Sequence, residues 1–263
     1  MAFVTSGSAQ IYYEVYQTGN RPWLVFAHGA GGNAAIWWQQ VPFFYEWYNI
    51  MVFDHRTFGR STCPPDDFHT KYYAGDLQAI LDAEGIDKAA LVCQSMGGRT
   101  GLWFALKHPG RVDALVMSHT IGNIYTEAIR TARLAANEVR PEPQGPFGGW
   151  AFAQDFPAKN LAGAHLYNSL SRFNIHVDRS RLGYFEPETN ITPEALQDFR
   201  IPTLFVTAQK DVVLPPDVLR MAAALVPGCE VVDLGDAGHS SYFEIPHQFN
   251  DVVRAFLKKV ETS

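Results

Sequence analysis

The 263-residue chain predicts an α/β fold: a mostly parallel sheet with helices on both faces, interrupted by one long insertion. Three observations carry that expectation. Short, continuous apolar runs recur along the chain, as in strands buried on both faces of a parallel sheet. Helix-like stretches alternate with them. Between residues 121 and 200 the alternation stops and proline, glycine, asparagine and aromatic residues take over.

The elements follow in order. "IYYEVY" (11–16) reads as a strand closed by the turn cluster Thr18-Gly19-Asn20, and "WLVFAH" (23–28) as a buried strand. Glycines 29, 31 and 32 precede a helix-like stretch from Ala34 to Phe44, and "NIMVFD" (49–54) is the next strand. Residues 69–85 place Tyr73, Leu77, Ile80 and Leu81 at helical spacing and stop at Gly85. "AALVCQ" (89–94), a helix from Met96 to Lys107, and "ALVMSH" (114–119) complete the first half. After the insertion come "TLFVTA" (203–208), a helix over 216–225, "EVVDLG" (230–235) and a terminal helix over 247–260. The domain reading is therefore a core of residues 1–120 and 201–263 with an inserted cap, 121–200, over the carboxyl edge of the sheet. "RPEPQGPFGGW" within the insertion cannot form a regular element.

Composition narrows the function classes. An apolar fraction of 47% with 18% charged residues suits a packed globule. A net charge of -6 supplies no attraction to nucleic acid or an anionic membrane. The three cysteines, Cys63, Cys93 and Cys229, fit neither a disulfide framework nor a zinc-ligand spacing. No basic leader followed by an apolar stretch is visible at the start, and no run approaches the ~20 apolar residues of a spanning helix. These features predict a cytoplasmic protein with no metal and no organic cofactor; oligomeric state is not legible.

The chemistry concentrates around "LVCQSMGGRTG" (91–101), where Ser95 stands between a strand and a helix among small residues. Compact neighbours are what a serine held in a strained strand-to-helix turn requires, and the helix that follows directs its unpaired N–H groups at that point. A hydroxyl is a weak nucleophile until a base takes its proton. His239 in "GDAGHSSYFE" is the candidate base, and Asp211 in "FVTAQKDVVLPP" the candidate acid that orients it. All three lie past the carboxyl ends of strands, where open α/β sheets bind ligands. Asp233 and Asp236 are rival acids, since both stand close to His239 in the chain. The backbone N–H groups of Ala30, in "AHGAGGN", and of Met96 are the expected oxyanion donors.

With these pieces assembled, the chain resembles the α/β-hydrolase superfamily, in the branch of small capped esterases, lactonases and cofactor-free haloperoxidases. "HGAGG", "DHRTFGRS" (54–61), "CQSMGG", "QKDVVLPP" and "GHSSYFEIP" carry the resemblance, in the family's order across positions 28 to 246. Two residues depart from the usual pattern: Cys93 and Thr57 stand where glycine is common. The resemblance implies a serine hydrolase that cleaves a small carboxylic ester or lactone through an acyl-enzyme. Carbon–carbon bond hydrolysis of a diketone-like compound shares the same residues and remains open, as does a hydrolase-like receptor with little turnover.

Other residues read more plainly. His28 is expected to organise the oxyanion loop, and "DHRTFGRS" to be structural because it lacks a phosphate-loop pattern. His119 either lines the pocket or packs in the core. One of Trp37 and Trp38 reaches the pocket mouth on this reading. Phe147, Trp150, Phe152, Phe156, Tyr167 and Phe173 are expected to form the insertion's own core and to leave a mostly apolar pocket suited to short acyl groups.

Overall fold

Among the described residues eight strands make one sheet: β1 (Ala2–Ser6), β2 (Ala9–Tyr16), β3 (Trp23–Ala27), β4 (Asn49–Phe53), β5 (Ala89–Gln94), β6 (Val112–Ser118), β7 (Thr203–Thr207) and β8 (Glu230–Asp233). This computed structural model describes residues 1–175, 177–178, 181–183 and 185–262. The strand order is β1-β2-β4-β3-β5-β6-β7-β8. From β4 to β8 every pairing is parallel, while β1 and β2 run antiparallel at one edge. β1 was not foreseen: its five residues alternate only between half-buried and exposed, a weak signal at a sheet edge.

Ten α-helices accompany the sheet: α1 (Gln40–Phe44), α2 (Tyr73–Ala83), α3 (Gly97–Lys107), α4 (Glu127–Glu138), α5 (Phe156–Lys159), α6 (Leu161–Ser171), α7 (Pro193–Leu196), α8 (Pro216–Ala223), α9 (Ser241–Glu244) and α10 (Pro246–Glu261) among the described residues. The period-2 geometry of the strands sends alternate side chains into two apolar layers. Val25, Met51, Leu91 and Phe205 join α2, α3 and α8 on one face. Leu24, Ile50, Val92 and Val206 join Phe44 of α1 and α10 on the other. Both faces are thus covered, which is why these strands read as unbroken apolar runs.

The helix expected over 34–44 divides into a 3-10 turn at Ala34–Trp37 and the short α1. Pro42 explains the break: it has no N–H for the Trp38 carbonyl, and its ring would crowd that carbonyl in a continuous helix. The chain leaves the sheet after β6 and returns at β7. In between, α4 and α6 are capped by Thr126, whose Oγ1 accepts from Ile129 N (3.1 Å), and by Asn160, whose Oδ1 accepts from Gly163 N (2.8 Å). Residues 140–150 form neither helix nor strand, as their prolines and glycines dictate.

Candidate active site

β5 is central in the sheet and ends at Gln94; the next residue, Ser95, has φ +49°, a left-handed conformation that a non-glycine residue adopts only when its surroundings enforce it. The enforcement is visible. Ser95 N donates to the Ser118 carbonyl at 2.9 Å, and α3 turns back so closely that a Cβ on Gly97 would lie 2.2 Å from the Ala27 carbonyl oxygen. The turn lifts the Ser95 hydroxyl above the carboxyl edge of the sheet.

Two further loops meet it there. His239, beyond β8, places Nε2 2.8 Å from Ser95 Oγ. Its Nδ1 lies 2.8 and 3.0 Å from the two carboxylate oxygens of Asp211, beyond β7. A carboxylate only accepts, so Nδ1 carries the proton and Nε2 is left to accept from the serine hydroxyl. Gln94 Nε2 donates to the His239 carbonyl at 3.0 Å and ties the two loops together. Asp211 is fixed from its own loop as well, with Oδ1 accepting from Val213 N (2.9 Å) and Leu214 N (2.8 Å). Burial alone would raise the Asp211 pKa; the charge of His239 and the hydrogen bonds of two imidazoles outweigh it and hold the carboxyl well below its usual range.

The second imidazole belongs to His119, at the end of β6. Its Nδ1 is 2.8 Å from Asp211 Oδ2 and its Nε2 2.7 Å from Ser241 Oγ. His119 is fully buried and also has positive φ, +52°. Burial lowers its pKa despite the neighbouring carboxylate, so the ring is neutral, donating from Nδ1 and accepting from Ser241.

The loop after β3 closes the site. A Cβ on Gly29 would come 3.0 Å from Ser95 Cβ, and Ala30 packs against the cluster that contains Met96. Among the described residues, neither the Ala30 nor the Met96 amide donates to a protein acceptor outside the regular elements. His28 organises this loop as expected, with Nδ1 donating to Gly29 O (2.8 Å) and Nε2 accepting from His55 N (3.0 Å); burial pushes its pKa down to about 4.

A sequence model described as "alpha/beta hydrolase fold" matches residues 22–142. The 3-oxoadipate enol-lactonase 2 of Acinetobacter baylyi is 26% identical, the match covering 97% of this chain and 96% of that protein. A protein named as a candidate carbamate hydrolase, RutD of Azorhizobium caulinodans, is 26% identical over 99% of this chain and all of its own length, 100%. Among solved structures, Est816, described as an N-acyl homoserine lactone degrading enzyme, matches 97% of this chain and 99% of its own with a TM-score of 0.76 and 25% identity. The chain has the α/β-hydrolase fold.

In this fold the rival acids are engaged elsewhere. Asp233 pairs with Arg220 (2.7 Å), and Asp236 bridges Lys159 and Lys210 at the surface. "DHRTFGRS" is structural: Asp54 accepts from Ala34 N (2.6 Å) and Arg60 N (2.8 Å), and Arg56 forms a two-pronged pair with Asp76 (2.6 and 2.7 Å). Neither tryptophan lines the crevice beside Ser95: Trp37 is buried on Phe26 and Tyr242, and Trp38 is half-exposed against Phe243. Of the insertion's aromatics, Phe152, Phe156 and Tyr167 pack together with ring centroids 5.2–5.6 Å apart, whereas Trp150 and Phe173 are exposed.

The expectation of a mostly apolar pocket is corrected. The small crevice of about 20 Å³ beside Ser95 and His239 is walled by Arg99, Arg133, Asn123 and Thr120 as well as by Met96, Ile121 and Leu214. Arg99 projects from the first turn of α3 and Arg133 from α4, and nothing in their sequence neighbourhoods marks them. His119 had one readable signal, its place at the carboxyl end of a strand next to β7.

His119, Asp211 and His239 also bring metal-ligand atoms within 4.8 Å of one another. Those atoms are already joined by hydrogen bonds that need a proton on each Nδ1. A cation there would displace both protons and unhook His239 from Asp211, so the donor set fits a hydrogen-bonded network better than a metal centre. A second group, His69 with Glu186 and Glu188, is a contact cluster at 2.9 and 3.0 Å nearer the surface. Among the described residues, no helix is long and apolar enough to cross a membrane.

Proposed function

We propose that this chain is a serine hydrolase of small carboxylic esters or lactones. The observation that carries the reading is the 2.8 Å contact of His239 Nε2 with Ser95 Oγ, backed by Asp211 on Nδ1. Ser95 Oγ attacks the carbonyl carbon while His239 takes its proton, and Asp211 stabilises the imidazolium. The negative charge that develops on the carbonyl oxygen is received by the Ala30 and Met96 amides, each worth on the order of 3 kcal/mol in the transition state. Collapse expels the alcohol, or opens the ring of a lactone, with the proton returned from His239. Water, deprotonated by the same imidazole, then attacks the acyl-enzyme and frees the acid and Ser95.

On this reading residues 121–200 act as a cap on a core of 1–120 and 201–263. Tyr167 of α6 supports it: a Cβ on Gly31 would meet the Tyr167 hydroxyl at 2.4 Å, so the insertion presses on the oxyanion loop. The enol-lactonase, carbamate hydrolase and acyl-homoserine-lactone-degrading relatives support an acyl carbon bonded to a heteroatom as the target.

The test is covalent labelling of the folded protein with an active-site-directed organophosphorus reagent, beside turnover of a panel of esters, lactones and diketones. Labelling at Ser95 and cleavage of esters or lactones, both lost in Ser95→Ala, are expected. A label elsewhere would retire the nucleophile, and cleavage of diketones alone would move the chemistry to a carbon–carbon bond.

A further inference from the structure

We propose that Glu244 is a positioning residue whose one carboxylate holds the loop that carries His239 and fastens the insertion to it. The proposal rests on the hydrolase reading above and adds how its base is kept in place. Glu244 Oε1 accepts from Gly238 N at 2.9 Å, one residue before the base, and Oε2 accepts from Ala153 N at 3.1 Å, within the insertion. Both amides are buried, and among the described residues neither donates to a backbone carbonyl outside the regular elements. A buried N–H without an acceptor is costly, so this carboxylate answers two demands at once.

Local geometry brings the carboxylate there. Ser240 O accepts from Phe243 N (2.8 Å) and Glu244 N (3.0 Å), so the single turn of α9 returns Glu244 to the residues that flank His239. Gly238 leaves no gap: a Cβ there would lie 2.2 Å from Ala153 N and 2.4 Å from the Phe152 carbonyl carbon, so the insertion's backbone rests directly on the base loop. Phe152 packs on Phe156 and Tyr167 with ring centroids 5.2 and 5.6 Å away, which anchors the Ala153 amide in the insertion's own core. His239 is thus held by Asp211 through its ring and by Glu244 through the amide before it.

Burial raises the Glu244 pKa to about 7, the charge of Asp211 adds to this, and the amides of Ala153, Gly238 and Ser240 act against it. Asp211 is itself shared by His119 and His239. On the other side, Asp155 and Lys159 at the start and end of α5 and Asp236 after β8 line the cavity beside Glu244, and Lys210 pairs with both aspartates. Above about pH 7 both oxygens of Glu244 accept; below it one becomes a hydroxyl with a hydrogen of its own to place, and one side of the clamp loosens.

The experiment follows kcat for 4-nitrophenyl acetate from pH 8 to pH 6 in the wild type and in Glu244→Gln. The side-chain amide keeps one accepting oxygen and turns an NH2 toward the other N–H, much as protonation does. Effects of pH common to both proteins cancel in the ratio of their rates. At pH 8 the wild type is expected to be faster by on the order of tenfold with KM little changed, since the base is displaced and the crevice is not. The ratio is expected to fall toward one at pH 6, where the wild type's own carboxyl is protonated. A ratio that stays constant with pH would mean a merely structural residue, and equal rates at pH 8 would mean that Glu244 does not position His239; either overturns the proposal. Where the variant fails to fold, amide NMR of the wild type decides. The Gly238 and Ala153 N–H resonances are expected to shift together with one midpoint near about pH 7, and separate midpoints or none overturn the clamp. A wild type that cleaves no ester while those two resonances titrate together retires the hydrolase reading alone.

Discussion

The sulfur of Cys93 fills the space that a side chain on Gly101 would need: a Cβ at Gly101 would lie 2.4 Å from Cys93 Sγ. This is how the turn at Ser95 accommodates a cysteine at position 93: the strand side chain takes the space and the facing helix position carries none. Gly101→Ala is therefore expected to destabilise the protein by about 1–3 kcal/mol through overpacking. Cys93→Gly with Gly101→Ala should recover much of that, since the remaining close atom is the rotatable Leu115 side chain. Urea unfolding of both single variants and the double variant measures the coupling, and strict additivity would contradict the compensation.

Thr57, the other departure, has φ +69° and is buried, and among the described residues its Oγ1 has no hydrogen-bond partner. A β-branched residue pays both for the left-handed backbone and for the stranded hydroxyl, a combined cost that exceeds glycine's extra freedom when unfolded. Thr57→Gly is expected to raise stability by about 1 kcal/mol. A lower urea midpoint than wild type would refute this.

Asp211→Asn is expected to cut kcat by several orders of magnitude with the fold retained, because an amide no longer selects the Nδ1–H tautomer of His239. Asp233→Asn and Asp236→Asn, at surface ion pairs, should stay within about threefold of wild type. The reverse pattern would reassign the acid.

Three buried neutral histidines predict acid sensitivity. Burial lowers the pKa of His28 to about 4, that of His55 well below its ordinary value, and that of His119 as well. In the unfolded chain each imidazole titrates near ~6.5, so below that pH the unfolded state binds the extra protons and stability falls as pH drops. For His28 the loss reaches about 3 kcal/mol by its folded pKa. Glu244 acts oppositely: burial raises its folded pKa to about 7, so it takes up a proton on the native side. Three imidazoles outnumber the one carboxyl, so the net near pH 5.5 is proton uptake on unfolding. Unfolding free energies at pH 7 and 5 should fall accordingly, and a flat profile would show that the imidazoles are charged in the fold.

Chelators are expected to leave turnover unchanged, because the only role open to a cation among His119, Asp211 and His239 would break the bond that orients the base. Activity lost to EDTA and restored by one metal would overturn the proposed mechanism.

Much of this was legible in the chain itself. Periodicity and glycine placement are local, so the strands, the turn at Ser95 and the loop at His239 could be read residue by residue. The parallel alternation then required those loops to share one sheet edge. The tertiary structure alone decided which groups meet across that edge. Asp211, rather than Asp233 or Asp236, reaches His239 because its loop leaves β7 toward the site, while the others face α8 and the surface lysines. His119 joins the carboxylate of Asp211, 92 residues on in the chain, only because β6 and β7 are neighbours. Arg133 comes to the crevice beside Ser95 only through the path of the insertion. Contacts of that kind depend on strand order and on how long segments fold back, and neither leaves a periodic trace in the residues that make them.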